Sequence, residues 1–208
     1  MARNIEAKCR QCRRIGEKLM LKGEKCITRC TIDKRNMPPG QHGNSRRRRV
    51  SDRGMQLREK QKARYSYGVF ERQFRKTFEE AARLPGITGE NLMVLLERRL
   101  DNVVYRLGFG DSRAQARHLV RHGHIYTNGH KTDVPSYLVS EGDTIQWRQG
   151  STKNKYFALL KDKIKDKVIP NWLTLDRENL IGKVAALPTR ADIEPIYNEQ
   201  MIVDYYSR

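Results

Sequence analysis

The chain has 208 residues, with 42 Lys plus Arg against 24 Asp plus Glu, a formal net charge of +18 and a pI near 10.0. That length suits one or two domains and excludes a large multidomain enzyme. No run approaches the ~18 consecutive apolar residues of a transmembrane helix, and the start, MARNIEAKCRQC, lacks the apolar region of a secretory signal, so no export is expected.

A charge excess of this size repels itself unless a polyanion neutralises it. Nucleic acid is the first expectation and an anionic membrane surface the second. The excess is uneven. Residues 1–80 carry 23 basic and 9 acidic side chains, residues 81–160 carry 11 and 7, and residues 161–208 carry 8 and 8. The densest run is Arg46-Arg47-Arg48-Arg49, flanked by Gly40, Gly43, Asn44 and Ser45 before it and Ser51, Asp52 and Gly54 after it. No apolar face accompanies it, which disfavours a membrane-surface helix. Arginine suits phosphate because its planar fork donates two parallel hydrogen bonds.

In chain order, the first feature is the cysteine set Cys9, Cys12, Cys26 and Cys30, a C-x2-C-x13-C-x3-C pattern. Four soft ligands in two short-range pairs match a tetrahedral structural zinc site, and four thiolates leave no open position for catalysis. The surrounding Lys8, Arg10, Arg13, Arg14, Lys25 and Arg29 would lower thiol pKa and offset the charge of a four-thiolate zinc centre. The same ligands could hold an iron–sulfur cluster, and disulfides or unpaired thiols remain alternatives. Residues 31–54 read as a loop-rich connector around Pro38-Pro39-Gly40.

From Met55 to about Leu84 the pattern is helical, with breaks at Gly68 and Pro85-Gly86. Tyr65, Val69, Phe70, Phe74 and Phe78 make an apolar stripe that reads as core, opposite a basic face. Arg58, Lys60, Lys62 and Arg64 on this segment are expected phosphate contacts alongside Arg46–Arg49. Thr88-Gly89-Glu90-Asn91 opens the next helix. Its stripe, Leu92, Leu96, Leu100, Val103, Val104 and Leu107, is expected to continue to Gly108.

Asp111-Ser112 supplies the N-cap of a short helix that Gly123 stops. Arg113, Arg117 and Arg121 lie at i, i+4 and i+8, drifting about 40° per step, so they share one face. Ala116, Leu119 and Val120 form a separate apolar face. The pattern predicts a helix that packs inward with one side and presents three guanidiniums outward; the alternative is a charged solvent-facing helix with no partner. Ile125-Tyr126-Thr127, Asn128-Gly129 and His130 to Val134 predict a hairpin, because both turn residues tolerate positive φ. The hairpin adds His122, His124, Asn128, His130 and Lys131 to a basic surface suited to folded RNA. Leu138-Val139 and Thr144 to Arg148 read as strands, 153–168 as a helix, and Trp172 to Leu175 and Lys183 to Leu187 as late strands. The apolar end (Met201, Ile202, Val203, Tyr205, Tyr206) is expected to dock.

At this point a family resemblance is legible. RRLDNVVYRLGFGDSRAQARHLVRHGHIYTNG, Arg98 to Gly129, resembles the S-four RNA-binding module, the αL motif. PPGQHG (Pro38 to Gly43), LREKQKARYSYG (Leu57 to Gly68), ERQF (Glu71 to Phe74), VPSY (Val134 to Tyr137), Asn198-Glu199 and the closing YYSR extend the likeness nearly end to end. They point to the small-subunit ribosomal protein S-four family, in its zinc-bearing, cysteine-rich branch. The resemblance implies an α+β fold: a mostly helical N-terminal domain with a small zinc module, plus an αL RNA-binding domain of helices and a short antiparallel sheet. The expected divisions are 1–45 (zinc module and basic loop), 46–95 (helical rRNA-binding region), 96–196 (αL domain with following helix and strands) and 197–208 (a segment docking back on the first domain).

The implied function is that of a structural, non-catalytic constituent of the small ribosomal subunit in the cytoplasm. The family binds small-subunit rRNA early, at a multi-helix junction of the 5′ domain, and nucleates the subunit body. It neighbours the small-subunit proteins S-five and S-twelve and influences decoding accuracy; its own mRNA is a further candidate partner. One structural zinc is the expected cofactor, and neither a membrane nor a small-molecule substrate is expected. The rival is an RNA-modifying enzyme of the pseudouridine synthase type, in which the αL module only holds RNA. Asp101 in Arg99-Leu100-Asp101 is the residue that rival would use, but Asp101 lies inside the module's own helix, where a structural role is expected.

Overall fold

A computed structural model describes residues 5–44, 49–165, 167–194 and 196–207. In chain order the helices are α1 (Lys8–Ile15), α2 (Glu24–Thr28), α3 (Thr31–Lys34), α4 (Asp52–Tyr67), α5 (Glu71–Arg83), α6 (Thr88–Glu97), α7 (Leu100–Arg106), α8 (Arg113–Arg121), α9 (Lys155–Lys163) and α10 (Glu199–Tyr206). The strands are β1 (Ile125–Thr127), β2 (His130–Lys131), β3 (Thr144–Trp147), β4 (Leu173–Asp176) and β5 (Ile181–Val184). The chain is therefore α+β. It divides into two compact units, Met1–Met93 with Glu194–Arg208, and Val94–Ile193. Among the described residues no helix is long and apolar enough to cross a membrane.

In the first unit, Ser51 caps α4 by accepting from the Gly54 N–H at 3.2 Å. Gly68, at φ +64, ends it, and the Val69 N–H returns to the Arg64 carbonyl at 3.1 Å. Phe74 of α5 is fully buried, and Phe78 packs on Tyr206 of α10 with the rings tilted and their centroids 4.6 Å apart. The C-terminal helix thus docks on α4 and α5. The Tyr206 hydroxyl donates to Glu71 at 2.8 Å, and Lys60 lies 4.7 Å from the Tyr205 ring centre. The stripe reading was incomplete: Phe70 is exposed, because it is the N-cap of α5 rather than part of its face. The connector at 31–54 is less irregular than expected, since α3 and a 3-10 turn at Gln41–Asn44 interrupt it.

The second unit holds a sheet of order β2-β1-β3-β5-β4, antiparallel throughout. Its core gathers Leu100, Val103 and Val104 from α7, Leu107 at its C-cap, Ala116 and Val120 from α8, Ile125, Ile145 and Trp147 from the sheet, and Phe157 and Leu160 from α9. The expected single helix from 88 to 107 is two. The break falls at Arg98-Arg99 because backbone from 135–139 captures their polar groups: Leu100 N–H donates to Tyr137 O at 2.8 Å and Val139 N–H to Arg98 O at 2.9 Å. That pairing replaces the expected strand at Leu138-Val139 with an isolated bridge between Arg99 and Leu138. The return strand of the hairpin is only His130–Lys131, and the last strand starts at Ile181 rather than Lys183.

Candidate nucleic-acid interface

The α8 helix begins at its Ser112 N-cap, whose hydroxyl accepts from the Gln115 N–H at 3.3 Å. Its arginines align as the spacing predicts, but Arg113 and Arg117 do not project outward. Arg117 Nη1 donates to Asp101 Oδ2 at 2.8 Å, and Asp101 is also clamped by Arg99 through two bonds of 3.1 and 2.9 Å. Arg113 Nε donates to Asn102 Oδ1 at 2.7 Å, with its guanidinium 4.8 Å from the Tyr105 ring centre. The amide of Asn102 in turn donates to Glu97 Oε2 at 2.6 Å, and Arg106 pairs with Glu97 at 2.7 Å. Only 12% of the Arg113 side chain and 15% of Arg117 remain exposed, against 1% of Glu97 and 5% of Asp101. The expectation of three outward guanidiniums is corrected to one exposed arginine, Arg121, above two that rest on buried acceptors. The sequence showed the row; it did not show that α6 and α7 place carboxylates and an amide beneath it.

Beyond Arg121 the surface continues through His122, His130 and Lys131, all exposed. Gly123, at φ +68, ends α8, and a side chain there would meet Lys131 Cε at 2.6 Å. The lysine stem therefore lies over the helix end, joining helix and hairpin into one basic patch. His118, His122 and His124 form a ladder with ring centroids 5.3 and 6.3 Å apart. His124 Nδ1 lies 2.9 Å from Ser151 Oγ. Burial first, then the His122 and Arg148 charges, hold the His124 imidazole below its ordinary value. Arg148, exposed beside His124, belongs to this patch and carried no signal in the sequence. Asn128, exposed at the hairpin tip, also holds the turn. At φ +52 its amide donates to Asp143 Oδ1 at 2.8 Å and its oxygen accepts from the Thr144 N–H at 2.8 Å.

In the first unit, Arg46, Arg47 and Arg48 lie outside the described residues; Arg49 is exposed. The α4 cations are mostly committed internally. Lys60, 3% exposed, pairs with Glu71 at 2.6 Å, and Lys62 pairs with Glu17 at 2.6 Å. Burial opposes ionisation of Glu71, but hydrogen bonds from Lys60 and Tyr206 and the Arg64 charge outweigh it and keep the carboxyl below its ordinary value. Arg64 lies 3.5 Å from Glu71 and stacks over Tyr65. Arg58 donates to the Ile15 carbonyl at the end of α1, a favourable place for a cation on the helix dipole. Arg58 and Lys62 therefore tie the cysteine segment to α4, and Tyr65 packs on its small core of Cys12, Ile15, Leu19 and Leu21.

All four cysteines line one pocket, with Lys22, Lys25 and Arg29 around them. Cys12 and Cys26 are buried, and all four are unpaired thiols. The Lys22 N–H donates to Cys26 Sγ at 3.3 Å. Burial pushes the Cys12 thiol up, and the neighbouring Cys26, Cys9 and Cys30 push it further. A divalent cation among them would reverse that shift, so by type the four-thiol donor set suits a thiolate metal. Among the described residues, however, no group of three or more His, Cys, Asp or Glu side chains is arranged to hold a metal ion.

Comparison with known families gives two adjoining matches. Residues 3–97 match the model of the ribosomal protein S4/S9 N-terminal domain, and residues 98–145 match that of the S4 domain. Curated relatives cover the whole chain over their own whole length. They include a small ribosomal subunit protein uS4 of Dehalococcoides mccartyi, 56% identical over 208 residues. Others are the uS4 proteins of Syntrophomonas wolfei, 53% identical over 209 residues, and of Solibacter usitatus, 55% identical over 210 residues.

Proposed function

The chain belongs to the ribosomal protein uS4 family, and on that premise we propose how its surface serves as a structural constituent of the small ribosomal subunit. Its full-length relatives are named small ribosomal subunit proteins, and the role we propose on that ground is non-catalytic, in the cytoplasmic ribosome. Its partner is small-subunit rRNA. The observation that carries this reading is the patch of Arg121, His122 and Lys131 at the end of α8, beside the arginine row and within the segment that matches the S4 domain, with Arg148 just past that segment. A shallow surface of helix end and hairpin tracks phosphates and groove shape in folded RNA rather than base edges. Neutralising Arg113, Arg117 and Arg121 together by glutamine should weaken rRNA binding and flatten its dependence on salt, since fewer counterions are released. An unchanged salt slope refutes the assignment.

The cysteine segment is read as the site of one structural zinc, which places the chain in the cysteine-rich branch of the family. Cys9, Cys12, Cys26 and Cys30 would hold the ion. Bound, it would supply the cross-link that a segment with so small a core lacks. Elemental analysis should give about one zinc per chain, falling in a Cys26→Ser variant. Metal-free protein of undiminished stability, or iron in place of zinc, would overturn the reading. Contacts with the neighbouring small-subunit proteins S-five and S-twelve, an early role in assembly, an effect on decoding accuracy and binding to its own message follow from the family resemblance. The charge-neutral stretch 161–208 supports a protein contact rather than further RNA.

A further inference from the structure

We propose that Asp101 and the Glu97–Asn102 pair are positioning residues for RNA binding: they fix the guanidiniums of Arg113 and Arg117 in the pose that phosphate meets. The inference rests on the reading that the α8 face binds rRNA, and it adds which residues make that face rigid.

The geometry is a two-layer device. The lower layer is buried and acidic, the upper layer is cationic and reaches the surface with only an edge. Asp101 is held by Arg99 through two bonds, so its carboxylate cannot rotate, and its Oδ2 then accepts from Arg117 Nη1 at 2.8 Å. Asn102 acts as a relay. Its amide nitrogen is fixed by Glu97 Oε2 at 2.6 Å and by the Glu97 carbonyl at 3.0 Å, which turns its oxygen toward Arg113 Nε at 2.7 Å. Tyr105 closes one face of the same guanidinium. A guanidinium has five N–H donors, so one edge can rest on a buried acceptor while another meets a phosphate. Arginine side chains are otherwise mobile, and ordering them at an interface opposes binding. Here folding has ordered them before the RNA arrives.

The proposal separates from plain electrostatics by sign. Asp101→Asn removes a negative charge from beneath the patch. If the arginines act only as charge, rRNA binding tightens and its salt slope steepens. If Asp101 positions Arg117, binding weakens by about threefold to tenfold in spite of the added positive charge. Asn102→Leu leaves the net charge unchanged and removes the relay, and a similar loss is expected. Asp101→Glu, which keeps the carboxylate, should recover part of the affinity.

The experiment is equilibrium binding of the full chain to small-subunit rRNA across a salt series, restricted to variants whose far-ultraviolet circular dichroism matches the parent. Glu97→Gln substitutes if either primary variant does not fold. Parent-like or tighter binding by folded Asp101→Asn and Asn102→Leu overturns the proposal. If instead the Arg113, Arg117 and Arg121 triple variant binds like the parent, the RNA-face reading itself has failed. Loss in the triple variant without loss in the positioning variants defeats only the positioning.

Discussion

Gly182 is a position where one methyl group should be felt. It lies in the middle of β5, paired with Ile145 on one side and Leu175 on the other. A Cβ built there falls 2.7 Å from Leu107 Cδ2 and 3.1 Å from Leu107 Cγ, and closer still to Cδ1. Carbon atoms at rest are about 3.5–4.0 Å apart, so the overlap is near 1 Å. Leu107 is fully buried among α7, the sheet and α9, so its rotation displaces other core side chains. Overpacking of this kind costs about 1–3 kcal/mol. Against it stands the gain of about 0.4–1 kcal/mol from restricting the unfolded chain. Gly182→Ala should therefore destabilise the unit by about 1–2 kcal/mol. Leu107→Ala alone should cost about 2–5 kcal/mol through its cavity. The double variant should be more stable than the two losses summed, because the new methyl occupies part of that cavity. Both tryptophans of the chain, Trp147 and Trp172, lie in this core, so urea denaturation followed by tryptophan fluorescence reads the right unit. A Gly182→Ala protein as stable as the parent, or strict additivity in the double variant, would refute the packing argument.

Three further outcomes follow from the same geometry. Tyr206→Phe keeps the ring on Phe78 but deletes the donor to Glu71, and should cost about 1 kcal/mol in thermal or chemical denaturation; no loss would mean the hydrogen bond is not formed in solution. Burial, and then the Asp111 charge, push the Tyr156 phenol up to about 12 while its hydroxyl donates to the Phe109 carbonyl at 2.9 Å. A raised value stabilises the fold below the ordinary value of 10.0 and loses that contribution as pH climbs through about 12, so among the late-ionising tyrosines, which include Tyr137 and Tyr206, absorbance titration should show one near 12 that Tyr156→Phe removes. His124 runs the other way: its value is depressed, so its contribution is present above 6.5 and lost as pH falls below it. His124→Gln should flatten the acid side of the stability profile, and an unaltered profile would place the loss elsewhere.

What could be read from the sequence, and what could not, divides by the range of the interaction responsible. The hairpin turn at Asn128-Gly129 was legible because its cause is local: both residues take positive φ, at +52 and +78. The end of α4 at Gly68 and the row of arginines on α8 are local for the same reason. The interruption at Arg98-Arg99 was not, because the stripe from Leu92 to Leu107 continues through it in sequence and the break is made by backbone from Tyr137 and Val139. The strand at Ile181–Val184 was placed too late because Gly182 argues against a strand until Leu107 is known to fill the space a side chain would need. At the site, residue type suggested phosphate contacts for Arg58, Lys60 and Lys62, yet each is tied to an acceptor far off in sequence: Ile15, Glu71 and Glu17. Asn128 carries a turn role that residue type alone does not show, through the Asp143 carboxylate and the Thr144 N–H.

This distinction changes what the net charge of +18 means for binding. An internal ion pair leaves the net charge as it was, but it alters what a phosphate finds. A lysine such as Lys60, buried on Glu71, forms a pair whose charges largely cancel at distance, and it offers no group to the RNA unless that pair opens. An exposed cation such as Arg121 or Lys131 contributes field and contact together. Arg113 and Arg117 are a third kind. The Asp101 carboxylate beneath Arg117 and the Glu97 carboxylate 3.9 Å from Arg113 cancel part of their charge at distance, while Asp101 and Asn102 hold them where a hydrogen bond has a defined direction. Salt dependence counts phosphates neutralised, so the first kind should weigh little in the slope and the third less than Arg121. Directional hydrogen bonds weigh in the affinity that persists at high salt, and it is there that Arg113 and Arg117 should be seen most clearly.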